Sequence, residues 1–246
     1  MRQTILIDYL IRQLALRDSS LLPASRDLLL SAFSAVSVVK ADHDIVPQGS
    51  RPDRCTLIVA GWACRYAELS DGRRQTLAVH VSGDFVDLHS FPLKRMDHAV
   101  AALTDCTIQT IPHTRMRYIT ETDPHLTRVL WLHTLVDAAM LRQWLLSAGQ
   151  RNALERTAHL LCELFSRLQI VGLASPNRPF DLPLTQADLA AALGISAVHV
   201  NRMIAQLRTR ELFHWHAREA RILDWERLRE LAKFDPAYLI LTDEPR

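Results

Sequence analysis

The side chains best placed to do chemistry in this 246-residue chain are hydrogen-bond donors crowded into one short stretch, LTQADLAAALGISAVHVNRMIAQL, from Leu184 to Leu207. Ser196, His199, Asn201, Arg202 and Gln206 carry hydroxyl, imidazole, amide and guanidinium groups at helical spacing. Groups of this kind meet the donors and acceptors on base edges, and an arginine fork matches guanine O6 and N7 with two bonds. Thr185, Gln186 and Ser196 fall at helix starts, where contacts to phosphate set register without reading sequence. Val198 has no polar atom, and the base contact open to it is the methyl group of thymine.

Two short helices around a tight turn must position these groups. Thr185 is the expected N-cap of the first, with Asp188 as its acidic first-turn partner. Leu189, Ala192 and Leu193 form its apolar face. Gly194 stands where the chain needs a left-handed residue, Ile195 plugs the corner and Ser196 caps the second helix. Val200, Met203, Ile204 and Leu207 give that helix a buried stripe and leave Ala197, Val198, His199, Asn201, Arg202 and Gln206 outside. The pattern Ala-x-x-x-Gly-Ile-Ser spells a helix-turn-helix, whose second helix enters the DNA major groove. An ordinary helical hairpin would share the pattern.

Net charge is +2 and hydrophobic residues make up 48% of the chain, an ordinary globular composition that neither demands nor forbids nucleic acid. Cys55, Cys64, Cys106 and Cys162 form no C-x-x-C pair and fit no zinc spacing, so buried reduced thiols and no metal site are expected. Asp8, Arg12 and Arg17 interrupt the apolar N-terminus, and no apolar run is long enough to span a bilayer. A soluble cytoplasmic protein without membrane contact is expected. The chain lacks a glycine-rich phosphate loop, Gly-x-Ser-x-Gly and HExxH, which argues against an enzyme. His43 between Asp42 and Asp44 reads as a solvated turn.

The glycines map the rest. Gly49, Gly61, Gly72 and Gly83 fall at nearly even intervals. Between them lie strand-like runs at Cys55 to Ala60, Trp62 to Leu69 and Gln75 to Val81, with Asp71-Gly72 as a hairpin turn. Ala99 to Leu103 and Cys106 to Ile111 extend the pattern by another hairpin. This rhythm predicts an antiparallel β-roll. Helices are expected over Ile5 to Leu16 and Ser25 to Ala35 ahead of it. Pro124 opens a long helix, ended by Gly149, whose second apolar face at Trp131 and Leu135 asks for another chain. Asn152 caps a helix from Ala153 to Ile170, Ser175 to Leu184 reads as a proline-rich connector, and Glu211 to Leu223 as a two-stranded wing. Asp224 caps a last helix, Trp225 to Phe234, and a tail follows Pro236. The fold class is α+β: a jelly-roll-like sensor domain with N-terminal helices over 1–123, a dimerisation helix over 124–149, and a winged helix-turn-helix domain over 150–246.

From about residue 30 to residue 234 the chain resembles the Crp/Fnr superfamily of bacterial transcription regulators. The resemblance rests on TQADLAAALGIS-AVHVNRMIAQLR and on the roll motif ending in Gly83-Asp84-Phe85. It implies a homodimer reading a two-fold symmetric double-stranded DNA site through the helix 196–207, RNA polymerase as a further partner, and a small-molecule effector, not identified, sensed in the roll. Arg202 aligns with the family's base-reading arginine, while Val198 stands where many relatives carry a glutamate, so a different target site is expected. Arg208, Arg210, His214, His216 and Arg218 are candidates for backbone contacts. The corresponding effector pocket is Gly83, Asp84, Phe85, Asp87, Arg95 and His98. Cyclic-AMP binders carry Arg-Ser/Thr-Ala where this chain has Asp97-His98-Ala99, and an aspartate repels a phosphate, so cyclic AMP is not expected. An iron–sulfur cluster is not expected either, because no cysteine precedes Cys55. His80, His89 and His98 are better read as structural than as haem ligands. The alternative reading is a ligand-sensing protein of the same fold whose winged helix is a protein-interaction module.

Overall fold

A computed structural model describes residues 7–246. Two helices open it, α1 (Asp8–Arg17) and α2 (Pro23–Ala32), so the expected start at Ile5 lies outside the described residues. Seven strands follow: β1 (Ser37–Val39), β2 (Asp44–Val46), β3 (Arg54–Ala60), β4 (Ala63–Glu68), β5 (Arg74–His80), β6 (Ala99–Ala102) and β7 (Cys106–Pro112), with a one-turn helix α3 (Ser90–Leu93) between β5 and β6. They form two antiparallel sheets, in the orders β1-β7-β3 and β2-β6-β4-β5.

Strand β3 shows why the roll holds. Its successive side chains point to opposite faces. Cys55, Leu57 and Val59 pack under the helices with Leu10, Leu29 and Ile119, whereas Ile58 faces the inter-sheet core with Val46, Val100 and Ile108. Both faces are covered, so the run is buried from Cys55 to Val59, with Thr56 its one polar side chain. Asp71-Gly72 turns the β4–β5 hairpin as expected, with Leu69 N donating to Arg73 O at 2.9 Å. The expected Ala99–Ile111 hairpin is not formed. Strand β6 pairs with β2 and β4, while β7 crosses to the other sheet and pairs with β1 and β3.

Behind the roll come α4 (His113–Thr122), α5 (Pro124–Gln150) and α6 (Ala153–Val171). The Asp123 side chain caps α5, and Asn152 with Glu155 forms a capping box on α6. Gly149 does not end α5; the helix runs one residue past it and Arg151 turns the chain. The reading domain comprises β8 (Phe180–Asp181), α7 (Gln186–Leu193), α8 (Ala197–Thr209), β9 (Phe213–His216), β10 (Glu219–Ile222) and α9 (Trp225–Ala232). The proline-rich connector contributes β8, which pairs with β10 and makes the wing three-stranded. The segment after Pro236 is no free tail. It forms a short 3-10 turn, Pro236–Leu239, with Leu239 buried.

Helix α6 is the shared wall. Its Leu160, Leu161, Leu164 and Leu168 join a core that includes Trp62, Val79 and Val81 of the roll and Leu189, Val200 and Leu207 of the reading domain. The wall is also charged. Arg167 Nη2 meets Asp84 of the roll, Nη1 donates to Val79 O at 2.8 Å, and Glu163 lies 3.6 Å away. Glu163 accepts from Trp144 Nε1 at 3.1 Å and from the Tyr238 hydroxyl at 2.8 Å. Gln13 of α1 donates to Asp84 at 3.2 Å, and Arg17 Nε donates to Leu239 O at 3.3 Å. Burial works against the Asp84 anion, yet Arg167 holds its carboxyl below the usual range; burial raises Glu163, and Arg167 only partly offsets it. Arg167→Met leaves two buried carboxylates without their cation. Urea unfolding at neutral pH is expected to show a loss of about 3–5 kcal/mol, whereas a neutral result would mean the pair is dispensable.

Candidate nucleic-acid interface

Local chemistry builds the reader. The Thr185 hydroxyl accepts from Asp188 N at 3.1 Å, and the Asp188 carboxylate accepts from Thr185 N and from Thr185 Oγ1, each at 2.7 Å. Both donors of Thr185 are therefore committed to Asp188, which leaves Gln186 as the exposed donor at this helix start. Gly194 ends α7 with φ +64°, donating to Ala190 O. Ser196 Oγ accepts from His199 N at 3.2 Å, so its hydroxyl proton stays free for a phosphate. Val200, Met203, Ile204 and Leu207 are buried, which rotates the opposite side of α8 to solvent. Asn201 and Arg202 are exposed, Val198 is 81% exposed, and His199 and Gln206 are half-buried at the edges of the same face.

The wing stands beside it. Alternation along β9 and β10 buries Phe213, Ala220 and Ile222 and turns His214, His216 and Arg221 outward. The turn between the strands holds no glycine; Ala217 takes the left-handed conformation with φ +53°. Arg218 is bound to Asp181 of β8 at 2.9 Å and 3.2 Å, so part of its charge is spent inside the wing. Arg221 was not singled out from the sequence. It pairs in register with His214 on the exposed face, and the two-residue alternation in ARIL is the signal that marks it. Arg208 and Arg210 continue the exposed positive edge at the end of α8.

The proposed effector residues are placed differently. Gly83, Asp84, Phe85 and Asp87 are buried and already in contact with protein. A Cβ on Gly83 would lie 2.9 Å from both Tyr9 and Gln13 of α1, and Asp84 is engaged by Arg167. Asp87 binds the Thr56 amide and hydroxyl, with burial pushing its carboxyl up to about 7. His98 Nδ1 donates to the Asp97 carboxylate at 2.7 Å and packs 5.1 Å from His89, while Arg95 lies exposed against Gly49 O. The cavity beside Asp84 and Phe85, toward His80 and His133, measures about 20 Å³, the room of a single water. Burial takes His80 down to about 3 and His133 to about 4, so both are neutral there. Arg65 of β4 crosses to Asp137 of α5 at 2.8 Å and ties the roll to the long helix.

The four cysteines are free, buried and distributed over β3, β4, β7 and α6. Burial pushes Cys55 up to about 12 and Cys64 and Cys106 to about 11, and raises Cys162 further. Thiolates are the species that bind metals and react with oxidants, and burial disfavours them here. No group of three metal-binding side chains occurs among the described residues.

Comparison with known proteins follows this division. Residues 36–123 match the model of the cyclic nucleotide-binding domain, and residues 155–231 that of the Crp-like helix-turn-helix domain. The transcriptional activator protein FnrL of Cereibacter sphaeroides is 30% identical over 174 residues, 69% of this chain and 68% of that protein. The nitrogen fixation regulation protein FixK of Rhizobium meliloti is 29% identical over 200 residues, 79% of this chain and 84% of that protein. The solved structure of FixK2 from Bradyrhizobium japonicum superposes with a TM-score of 0.73 at 26% identity, covering 80% of this chain and 96% of that one.

Gly194→Ala tests the turn. The new Cβ has room, with Gln75 Oε1 3.7 Å away, so the cost comes from φ alone. Thermal or urea unfolding is expected to show a loss of about 1–2 kcal/mol.

Proposed function

The chain belongs to the Crp/Fnr superfamily and is a DNA-binding transcription regulator; from that premise we propose how it reads its site. Two copies pair along α5 and place two α8 helices in successive major grooves, roughly 34 Å apart. The observation that carries this is the division of α8 into a locked apolar side and an open side bearing Val198, Asn201 and Arg202. Arg202 reads guanine, His199 and Asn201 flank it at base edges, and Val198 meets a thymine methyl. Gln186, Ser196 and the wing cations contact phosphate. Regulation takes place on genomic DNA in the cytoplasm, with RNA polymerase as the further partner that activation requires. No helix among the described residues is long and apolar enough to cross a membrane.

The pairing follows from exposed apolar surface. Trp131 is 63% and Leu135 47% exposed, one turn apart on α5. A cyclic nucleotide is not the ligand in this reading. Where the phosphate would need a cation, the chain presents Asp97 and His98, and the buried Asp84 already has its cation in Arg167.

Selection of duplexes from a random pool, at fixed salt and without effector, is expected to enrich a two-fold symmetric site with half-sites about one helical turn apart. Loss of Arg202 in Arg202→Ala should then cost about 1–3 kcal/mol on that site and relax one base position. Uniform weakening on all sequences would instead make Arg202 a phosphate contact, and no enrichment would favour the protein-interaction reading. Trp131→Asp is expected to give a monomer in sedimentation and to weaken operator binding by about 100-fold, because two linked half-sites bind far more tightly than one.

A further inference from the structure

A second opening lies at the edge of the roll, away from the expected effector residues. A cavity of about 380 Å³ sits where β5, α5, α6 and the turn after α7 meet. Its walls are mostly apolar, from Leu77, Leu141, Trp144, Ala148, Leu160 and Leu193, with polar atoms from Gln75, Thr76, Ser147 and His159. One cation faces this wall. Arg156 donates through Nη1 to Leu193 O at 2.8 Å, its Nε meets no acceptor, and no carboxylate is paired with it among the described residues. An apolar chamber with a single under-used guanidinium suits a small amphipathic anion.

Its position touches the roll, the long helix and the reader turn. The Trp144 ring lines the cavity while its indole N–H is held by Glu163, inside the buried Arg167 cluster. Gln75 of β5 reaches over to Ala191 O of α7 at 2.9 Å, and Gly194 itself forms part of the wall. At about 100° per residue, Leu141, Trp144 and Ala148 lie about 80–140° round α5 from Trp131, on the flank of the pairing face, while Leu145, about 40° from Trp131, joins the cavity rim to that face. We propose that this cavity is an effector site for a small apolar carboxylate, with the carboxylate on Arg156 and the apolar body against Trp144 and Leu193. A ligand there contacts the roll, the long helix and the reader turn at once. It stabilises the docked arrangement of the reader relative to any arrangement that opens the cavity. The site itself is independent of the DNA-reading assignment, and its regulatory role rests on it.

The probe is decanoate, kept below its critical micelle concentration and added to the full-length protein labelled with 15N-tryptophan. The chain has five tryptophans, so five indole signals are followed, with Trp144 assigned through Trp144→Phe. Saturable movement of the Trp144 signal is expected, with one decanoate per chain. Ala148→Trp, at an exposed rim position that does not threaten folding, should abolish it, and Arg156→Gln should weaken it about tenfold. No saturable shift, a shift confined to Trp131, or unchanged binding in Ala148→Trp would each overturn the site. These readings involve no DNA, so they fail separately from the proposed regulator mechanism. With the selected operator, decanoate is expected to change affinity about fivefold or more; an unchanged affinity would overturn the regulatory role while leaving the binding result standing.

Discussion

The pairing of Arg167 with Asp84 is the constraint around which the molecule is assembled. Both groups are buried, and a charge removed from water is tolerated only when its partners are fixed in place. Fixing them requires Val79 of the roll, Glu163 one turn back on α6, and Gln13 from the N-terminal helix. Glu163 in turn requires Trp144 of the long helix and Tyr238 after the last helix. Segments far apart in sequence thus converge on one guanidinium. The roll, the long helix and the reading domain share an apolar core around α6, but it is the charged centre that dictates how they face one another, because apolar contact alone has little directional preference.

The reader was legible in the sequence because its determinants are local. Thr185, Asp188, Gly194 and Ser196 each act within four residues, through caps and a left-handed turn, and the structure places them in those roles. The β-strands were legible for a related reason, since glycine turns punctuate them. Which sheet a strand joins was not. Ala99–Ala102 and Cys106–Pro112 look like a hairpin, but alternation reports faces and not neighbours, and the chain crosses between sheets there. Strand β8 is too short to show any period, and its neighbouring prolines read as a linker.

The acidic residues of the roll teach the opposite lesson. Asp84 and Asp87 look like ligand contacts because the family resemblance places them in the effector pocket. In the folded chain they bind Arg167 and Thr56, and side chains fill the space beside them. A buried charge is informative in sequence, but it does not say whether its partner is a ligand or another part of the protein. The partner of Asp84 lies more than eighty residues away, on a helix of the other domain. The junction cavity was invisible for a similar reason. Its walls come from four elements, none of which carries a motif for it.

The placement of the cysteines carries a kinetic consequence. Cys55 and Cys106 lie in the first sheet of the roll, Cys64 in the second, and Cys162 in the wall of the reading domain, each sealed from solvent as a neutral thiol. An alkylating reagent can reach any of them only when the surrounding segment opens. Their relative labelling rates therefore rank the opening free energies of the two sheets and of α6 without any engineered probe. The chain carries its own set of reporters on whether roll and reader come apart as separate units or open together.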